Sequence, residues 1–227
     1  MPEMEQKMPD VIKGAFLQRD KQTYAIVPRT PVGLVTPELL VNIASVAKKY
    51  NIPVIKTTSA QRMALVGLKP DIVEDVWKEL GTEVGPAVEP CVHYVQACPG
   101  TTVCRFGILD SLDLGMRLEK MLVGYELPAK AKIGVSGCPN NCGEAYVRDI
   151  GVFARKGGWT FIFGGNSGGR PRIGDVLAEK LSDDQVIELA RKCLDYYKAN
   201  ARARERTARF IERIGIEEFK RAVLQTG

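Results

Sequence analysis

The chain has 227 residues, of which 45% are hydrophobic and 26% charged, with a formal net charge of +5 at pH 7. This balance is typical of a globular protein and excludes the disordered and collagen-like classes. The first ten residues lack the basic start and apolar run of an export signal, and no stretch reaches the ~18 apolar residues of a membrane span. We therefore expect a cytoplasmic protein of one large or two small domains, with no membrane segment.

A dense basic stretch runs from Lys198 to Arg213 and carries Glu205 and Glu212 among its arginines. Nucleic-acid binding would require such a stripe beside aromatic or base-reading residues, whereas this one lies near the end of a helical tail. We predict a solvated or partner-facing helix and no nucleic-acid site.

The first third of the chain predicts a ferredoxin-like half-sandwich after a polar leader. Thr36 and Pro37 are a good helix start, and Gly81 is a good helix end. Strands and helices are expected in the order β-α-β-β-α. Their ranges are Tyr24 to Val27, Thr36 to Tyr50, Val54 to Thr58, Met63 to Leu68 and Pro70 to Leu80.

The Gly- and Pro-rich segment from Gly81 to Pro90 is the best boundary candidate, so we predict domains over 1–84 and 85–227. The second domain should begin with a loop from Cys91 to Cys104. Helices are expected from Leu109 to Leu122 and from Ser182, whose capping box with Gln185 starts a helix that reaches about Ala199. Strands are expected over Lys132 to Val135, Ile150 to Ala154 and Trp159 to Phe163, and short helices should close the chain.

Four of the six cysteines form two spaced pairs, Cys98-x5-Cys104 and Cys138-x3-Cys142, with 33 residues between the pairs. Each pair lies in a loop rich in Gly, Pro or Asn, and such residues let the backbone wrap closely around an inorganic core. Four thiolates from two such loops suit a [4Fe-4S] cluster. The spacing therefore predicts a metal centre with these four cysteines as ligands.

Three other interpretations of the cysteines stay open at this point. Structural zinc takes pairs separated by two to four residues, which fits Cys138 and Cys142 but not Cys98 and Cys104. Disulfides are disfavoured because cytosolic thiols are kept reduced. Buried structural cysteines usually occupy helices or strands, and we assign Cys193 to that class.

Two segments carry a resemblance to a known family. Ala97-Cys98-Pro99-Gly100-Thr101-Thr102-Val103-Cys104 and Val135-Ser136-Gly137-Cys138-Pro139-Asn140-Asn141-Cys142-Gly143 resemble the signature of siroheme-dependent sulfite and nitrite reductases. The resemblance implies an α+β fold, with a ferredoxin-like N-terminal half-domain followed by an α/β domain that binds siroheme and a [4Fe-4S] cluster. It also implies that the sulfur of Cys142 bridges the cluster to the siroheme iron. Asn140 and Asn141 are then expected to contact the cofactor.

The same resemblance implies a set of cations around a small anionic substrate. Leu127-Pro128-Ala129-Lys130-Ala131-Lys132 is similar to the family segment whose two lysines face the substrate, and residues two apart on a strand share a face. Arg29 resembles a family arginine that precedes a turn. Arg62 is a further candidate because Ala60 stands where the family usually has an arginine, which is a departure from the pattern.

The siroheme carboxylates require cations of their own, because guanidinium groups match carboxylates bidentately. Arg105, beside Cys104, and Arg170 and Arg172, after the Gly164 to Gly169 turn, are the candidates. Surface placement is the alternative for each. We expect the Gly-rich turn to be a tight hairpin packed against the macrocycle.

The resemblance implies a reductase that converts sulfite to sulfide. Nitrite reduction to ammonia is the nearest alternative, and a non-catalytic siroheme and iron–sulfur electron-transfer protein is an alternative of another class. Neither a flavin nor a nicotinamide motif is present, so a separate donor such as a ferredoxin should supply electrons. Two assemblies stay open: a homodimer that covers the siroheme face, or a monomer whose helices over 182–227 cover it.

Overall fold

The computed structural model describes residues 12–224. The chain divides into two compact units, the first ending at Val88 and the second beginning at Glu89, with Pro31–Gly33 counted in the second. No helix in the described part is long and apolar enough to cross a membrane.

The first unit is a four-stranded antiparallel sheet with two helices. The strands are β1 (Ala15–Leu17), β2 (Tyr24–Ile26), β3 (Val54–Thr57) and β4 (Met63–Leu68), in the spatial order β1-β2-β4-β3. The helices are α1 (Pro37–Lys49) and α2 (Val73–Leu80). Thr36 caps α1 by accepting a hydrogen bond from Leu39 N, and Gly81 ends α2 in the left-handed region with φ 62°. Both signals were read correctly from the sequence.

The expected β-α-β-β-α order is wrong by one strand. Ala15–Leu17 pairs with β2, so part of the segment taken as a polar leader belongs to the sheet. A three-residue edge strand is too short to show a period, and its neighbours Lys13, Arg19 and Asp20 are polar. The remaining residues of the leader, 1–11, lie outside the described residues.

The second unit contains a five-stranded mixed sheet in sequential order. Its strands are β5 (Val92–Ala97), β6 (Ala131–Ser136), β7 (Ile150–Arg155), β8 (Gly158–Phe163) and β9 (Asp175–Leu181). The first three run parallel, and β8 and β9 continue the sheet antiparallel. The α-helices described in this unit are α3 (Ser111–Leu122), between β5 and β6, and α4 (Asp183–Asn200), α5 (Thr207–Ile214) and α6 (Ile216–Leu224) after β9.

Two of these strands were not predicted. Val92–Ala97 was expected to be part of a loop, but it is a fully buried strand beside β6. His93 and Gln96 interrupt its apolar pattern, and both polar side chains are buried. Asp175–Leu181 shows little alternation of apolar and polar residues, because it is an edge strand with exposed charged residues.

The main core lies on one face of this sheet. Helix α3 contributes Leu114, Leu118 and Leu122, while α5 and α6 contribute Phe210 and Phe219. Phe219 stacks on Phe163 of β8 with ring centroids 4.5 Å apart. The terminal helices are therefore part of the core of this unit and are not a separable cover. Cys193 is also fully buried here, as expected of a structural cysteine.

The capping box predicted from the sequence is present at the start of α4. Ser182 Oγ accepts a hydrogen bond from Gln185 N, and Gln185 Oε1 accepts one from Ser182 N. This capping box satisfies two amide groups at the first turn of α4. We expect Ser182→Ala to lower the free energy of unfolding by about 1 kcal/mol in urea titrations. Ser182→Asp, which retains a cap acceptor, should stay near the parent value, and equal losses in both variants would contradict the assignment.

Candidate functional site

The first cysteine loop begins where β5 ends. Cys98 N donates to Val135 O of the neighbouring strand at 3.0 Å, which fixes the start of the loop against β6. A single turn over Gly100–Thr102 follows, and Cys104 N donates to Gly100 O at 3.0 Å. Cys98 is buried, and Cys104 is partly exposed. The loop therefore presents two thiols at the carboxyl end of a parallel strand.

The second cysteine loop begins where β6 ends. Asn141 has the left-handed φ of 59°, and its side-chain oxygen accepts hydrogen bonds from Ala145 N at 2.9 Å and Ser136 Oγ at 3.2 Å. Ser136 Oγ also accepts from Gly143 N at 2.8 Å. The Asn141 oxygen thus holds the loop itself, while Asn140 is exposed at its tip. Cys138 is buried and Cys142 is exposed.

The two loops are bound directly to each other. Ile108 N donates to Gly137 O at 2.7 Å, and Gly137 N donates to Cys98 Sγ at 3.1 Å. The same sulfur lies 3.3 Å from Ser111 Oγ at the start of α3. The thiolate is the form of cysteine that binds metals, and the Gly137 N–H points at this sulfur. The structure therefore brings the two predicted cysteine loops into direct contact.

Glycines in the strands allow the second loop to lie flat on the sheet. Gly134 on β6 and Gly151 on β7 are register partners, so their missing side chains leave a bare strip on one face. A Cβ on Gly134 would lie 2.3 Å from Gly143 O, and a Cβ on Gly151 would lie 1.9 Å from Ala145 O. No side chain fits at either distance. The loop that carries Cys138 and Cys142 depends on both glycines.

The donor set fits an iron–sulfur cluster. Four thiols on two joined loops, with Cys98 Sγ already accepting a hydrogen bond from a backbone N–H, match the ligand set that a [4Fe-4S] cluster requires. Within residues 12–224, no three His, Cys, Asp or Glu side chains are grouped closely enough to bind one metal ion. A cube accepts one thiolate at each of four corners, so its ligands do not need to converge on a single point.

The two remaining cysteines have raised pKa values. Burial raises the pKa of Cys91 to about 11, with a further contribution from Glu89 and an opposing one from Lys130. Burial alone raises the pKa of Cys193 well above the usual value. Both thiols therefore stay protonated at neutral pH, which is unfavourable for a metal ligand.

The lysine segment lies at the start of β6. Lys132 is in the strand and Lys130 just precedes it, so the expectation that both lie on one strand is wrong for Lys130. Lys132 Nζ stands 5.9 Å from the centre of the Tyr94 ring, and Lys132 N donates to Asp149 Oδ2 at 2.9 Å. Along the strand, Lys132 is about 13 Å from Ser136, where the second cysteine loop begins.

A buried carboxylate connects this segment to the terminal helices. Asp149 accepts two hydrogen bonds from Arg206 Nη2, at 3.0 and 2.8 Å, and one from Thr207 Oγ1 at 2.5 Å. Arg204 N donates to Pro128 O at 2.9 Å on the same segment. The backbone around the two lysines is therefore held from both sides.

The arginines proposed for cofactor carboxylates have partners within the unit. Arg170 lies 3.1 Å from Glu212, and Arg172 donates to Asp175 at 2.5 Å and to Gly164 O at 2.9 Å. Arg105 is exposed and stacks on the Phe106 ring at 4.6 Å. The Gly-rich turn rests on the segment after the second cysteine loop, because a Cβ on Gly165 would lie 2.5 Å from Arg148 O.

The two candidate arginines of the first unit occupy neighbouring segments. Thr30 Oγ1 donates to Gln61 O at 3.1 Å, which joins the segments that carry Arg29 and Arg62. Arg29 forms an ion pair with Glu83. The Arg62 side chain is buried, and its backbone N donates to Thr58 Oγ1 at 3.3 Å.

Sequence reasoning missed several residues that build the site. Ser136 and Gln96 hold the second loop, since Gln96 Nε2 donates to Gly143 O at 3.1 Å, and Asp149 anchors the lysine segment. Arg148 is buried beside the same loop. The sequence offered one indication of Arg148 and Asp149, since both charged residues directly precede the apolar strand β7. A charged group that is buried there needs a partner.

Comparison with known families covers both units. Residues 89–226 match the nitrite and sulphite reductase 4Fe-4S domain, and residues 16–82 match the nitrite/sulfite reductase ferredoxin-like half domain. These matches confirm the predicted family and the predicted fold class.

Individual relatives agree with the family matches. The chain is 58% identical to an assimilatory-type sulfite reductase of Nitratidesulfovibrio vulgaris over 217 residues, covering 96% of this chain and 100% of the relative. It is 40% identical to a NAD(P)H nitrite reductase of Bacillus subtilis, covering 91% of this chain but 26% of that protein. Dissimilatory sulfite reductase I has a similar fold, with a TM-score of 0.76 at 15% identity, over 90% of this chain and 70% of the other. The NirA protein of Mycobacterium tuberculosis matches with a TM-score of 0.76 at 16% identity, over 93% of this chain and 42% of the other.

The bare glycine strip gives a test of the second loop. Gly151→Ala places a methyl group against Ala145 O, so we expect the loop to shift and the free energy of unfolding to fall by about 1–3 kcal/mol. Iron and acid-labile sulfide per chain should fall with it in anaerobically purified protein. Gly169→Ala is the matched control, because no atom lies within 4 Å of that added Cβ. Full iron content in Gly151→Ala would contradict the role given to the strip.

Proposed function

Since this chain belongs to the nitrite and sulfite reductase family, and is thus a sulfite or nitrite reductase, we propose that it reduces sulfite to sulfide on siroheme coupled to a [4Fe-4S] cluster. The observation that carries the proposal is the direct bonding of the two cysteine loops through Gly137 N and Cys98 Sγ. The whole-length match to an assimilatory-type sulfite reductase supports sulfite as the substrate.

The cysteines would hold the redox centre. Cys98, Cys104, Cys138 and Cys142 would take the four cluster corners, and the exposed Cys142 would be free to face a second metal group on its open side. When bound, the cluster and siroheme supply electrons one at a time and keep the anion in place until six have been delivered. The N–H of Gly137 would stabilise the negative charge on Cys98 throughout.

The cations would neutralise the substrate and supply protons. Sulfite carries negative oxygens that leave as water, so each departure requires protons from a nearby donor. Lys130 and Lys132 are proposed as these donors, and Arg29 and Arg62 as further cations for the anion. An ammonium group held near a developing charge stabilises it more strongly in a site that excludes water.

Other residues would contact the siroheme itself. We propose that Arg105, Arg170 and Arg172 bind its carboxylates, with Asn140 and Asn141 beside it in the second loop. Arg170 and Arg172 already pair with Glu212 and Asp175, so a cofactor carboxylate would replace or share these partners. Arg105 has an exposed guanidinium that needs no such exchange.

Nitrite reduction is the second candidate function. The observation in its favour is the 40% identity to the Bacillus subtilis NAD(P)H nitrite reductase over 91% of this chain. That relative is a longer protein, and the match covers 26% of it. The comparison of sulfite and nitrite turnover in one preparation would separate the two substrates.

The proposal includes a separate electron donor, such as a ferredoxin, and a cytoplasmic location. It also includes a homodimer, because an exposed siroheme face would otherwise meet water. The separation of about 13 Å along β6 between Lys132 and Ser136 supports a shared site, in which lysines of one copy serve the Cys142 loop of the other.

The bridging role of Cys142 has a specific consequence. Cys142→Ser should remove both a cluster corner and the link to siroheme, so cluster signal, siroheme coupling and sulfite turnover should be lost together. Cys193→Ala is the control, because its sulfur lies in the apolar core. Iron and sulfide analysis, visible absorption and sulfide production with a reduced viologen are the measurements. Equal losses in both variants, or stoichiometric zinc without a chromophore in the parent, would refute the proposal.

The lysines should affect turnover more than cofactor content. Lys130→Ala and Lys132→Ala each remove a positive charge but no metal ligand, so we expect kcat/KM for sulfite to fall about 10²-fold with cofactor retained. Lys156→Ala, an exposed lysine after β7, is the matched control. Unchanged sulfite kinetics in both test variants would show that these lysines are solvated surface residues with no role in turnover.

A further inference from the structure

Arg148 is a buried cation whose place in the fold is next to the second cysteine loop. Its side chain is 3% exposed and pairs with Glu144, whose side chain is 47% exposed. Glu144 comes two residues after Cys142 and has the left-handed φ of 56°. A non-glycine residue in that region is strained by about 1–2 kcal/mol, so the ion pair helps to hold the turn that ends the loop.

The stem of Arg148 touches the same bare strip as the loop. A Cβ on Gly134 would meet Gly143 O at 2.3 Å and Arg148 Cγ at 2.9 Å, so both atoms lie close to one point. Gly143 is the residue after Cys142. The stem of Arg148 and the peptide that follows the proposed bridging ligand therefore both lie over Gly134.

A second attachment holds Arg148 from the opposite side. Arg148 Nη1 lies 3.4 Å from Ser167 Oγ in the Gly-rich turn, and Gly165 approaches the Arg148 backbone closely enough to exclude a side chain. Arg148 Nε is buried with no hydrogen-bond partner in residues 12–224. The positive charge is thus fixed in position, and its one carboxylate partner in the described chain is half exposed.

A fixed charge in a medium of low polarity acts over a longer distance than one in water. Reduction of a cluster adds one negative charge, which a nearby buried cation stabilises. The partly exposed Glu144 has the opposite effect, although water weakens it more. The two members of the pair should therefore move the reduction potential in opposite directions.

From these contacts we infer that Arg148 is a positioning residue for the Cys142 loop and that its buried charge raises the reduction potential of the cluster. The inference rests on the proposed function, because it requires a cluster on Cys142. It goes beyond that function by assigning control of the potential to a residue outside the ligand set and outside the substrate cations.

The test is an EPR-monitored redox titration of the anaerobically purified holoprotein. Arg148→Met keeps the stem but removes the charge and both attachments, so we expect a more negative cluster potential and altered g-values. Arg148→Lys should restore part of the potential. Glu144→Gln should shift the potential in the positive direction. Potential shifts of opposite sign in Arg148→Met and Glu144→Gln would indicate an electrostatic role. General destabilisation of the loop would shift the potential in the same direction in both variants.

The control pair is Glu188→Gln and Lys192→Met, which removes charges from an exposed ion pair of the same spacing on α4. Those variants should leave potential and g-values unchanged. If Arg148→Met fails to fold, Arg148→Lys takes its place with the same expected sign and a smaller shift, and a parental potential in that variant overturns the inference. A folded Arg148→Met with parental potential and g-values also overturns it, while the proposed function stands. A parent protein without a cluster signal overturns both.

Discussion

The contact on which the site depends is between backbone atoms. The second cysteine loop lies on β6 and β7 at a distance that leaves no room for a Cβ on Gly134 or Gly151. The structure cannot easily accommodate a methyl group at these positions, because the methyl group would have to displace the main chain and not a flexible side chain. The loop then has its own bonds, through Ser136 and Asn141, that set its shape once it is seated.

The first cysteine loop is positioned by the second. Gly137 supplies its carbonyl to Ile108 and its amide to Cys98 Sγ, so the two cysteine loops share one support although they follow separate strands. Parallel strands make this arrangement available, because their carboxyl ends meet at the same edge of the sheet. A cluster bound there would be held by the sheet and not by mobile loop ends.

Much of this fold could be predicted, and the misses have physical causes. Caps at Thr36, Gly81 and Ser182 were readable because they depend on neighbouring residues only. The strand Val92–Ala97 was missed because the partners of His93 and Gln96 come from distant parts of the sequence or from backbone groups. The cysteine spacing indicated a cluster. The charges of Arg148 and Asp149 indicated only that each needs a partner, because the contacts with Ser167 and Arg206 come from distant parts of the sequence.

The basic stretch near the end of the chain is explained by pairing within the second unit. Arg206 binds the buried Asp149, and Arg213 binds Glu205 at 2.8 Å. The hydrogen bonds from Arg213 hold the pKa of Glu205 at about 2. Because that pKa lies below its unfolded value, the pair stabilises the fold fully above about pH 4.3 and loses this effect as the pH falls towards 2. The residues beside this pair reach the lysine segment, since Arg204 N donates to Pro128 O and Asp149, which binds Arg206, accepts a hydrogen bond from Lys132 N.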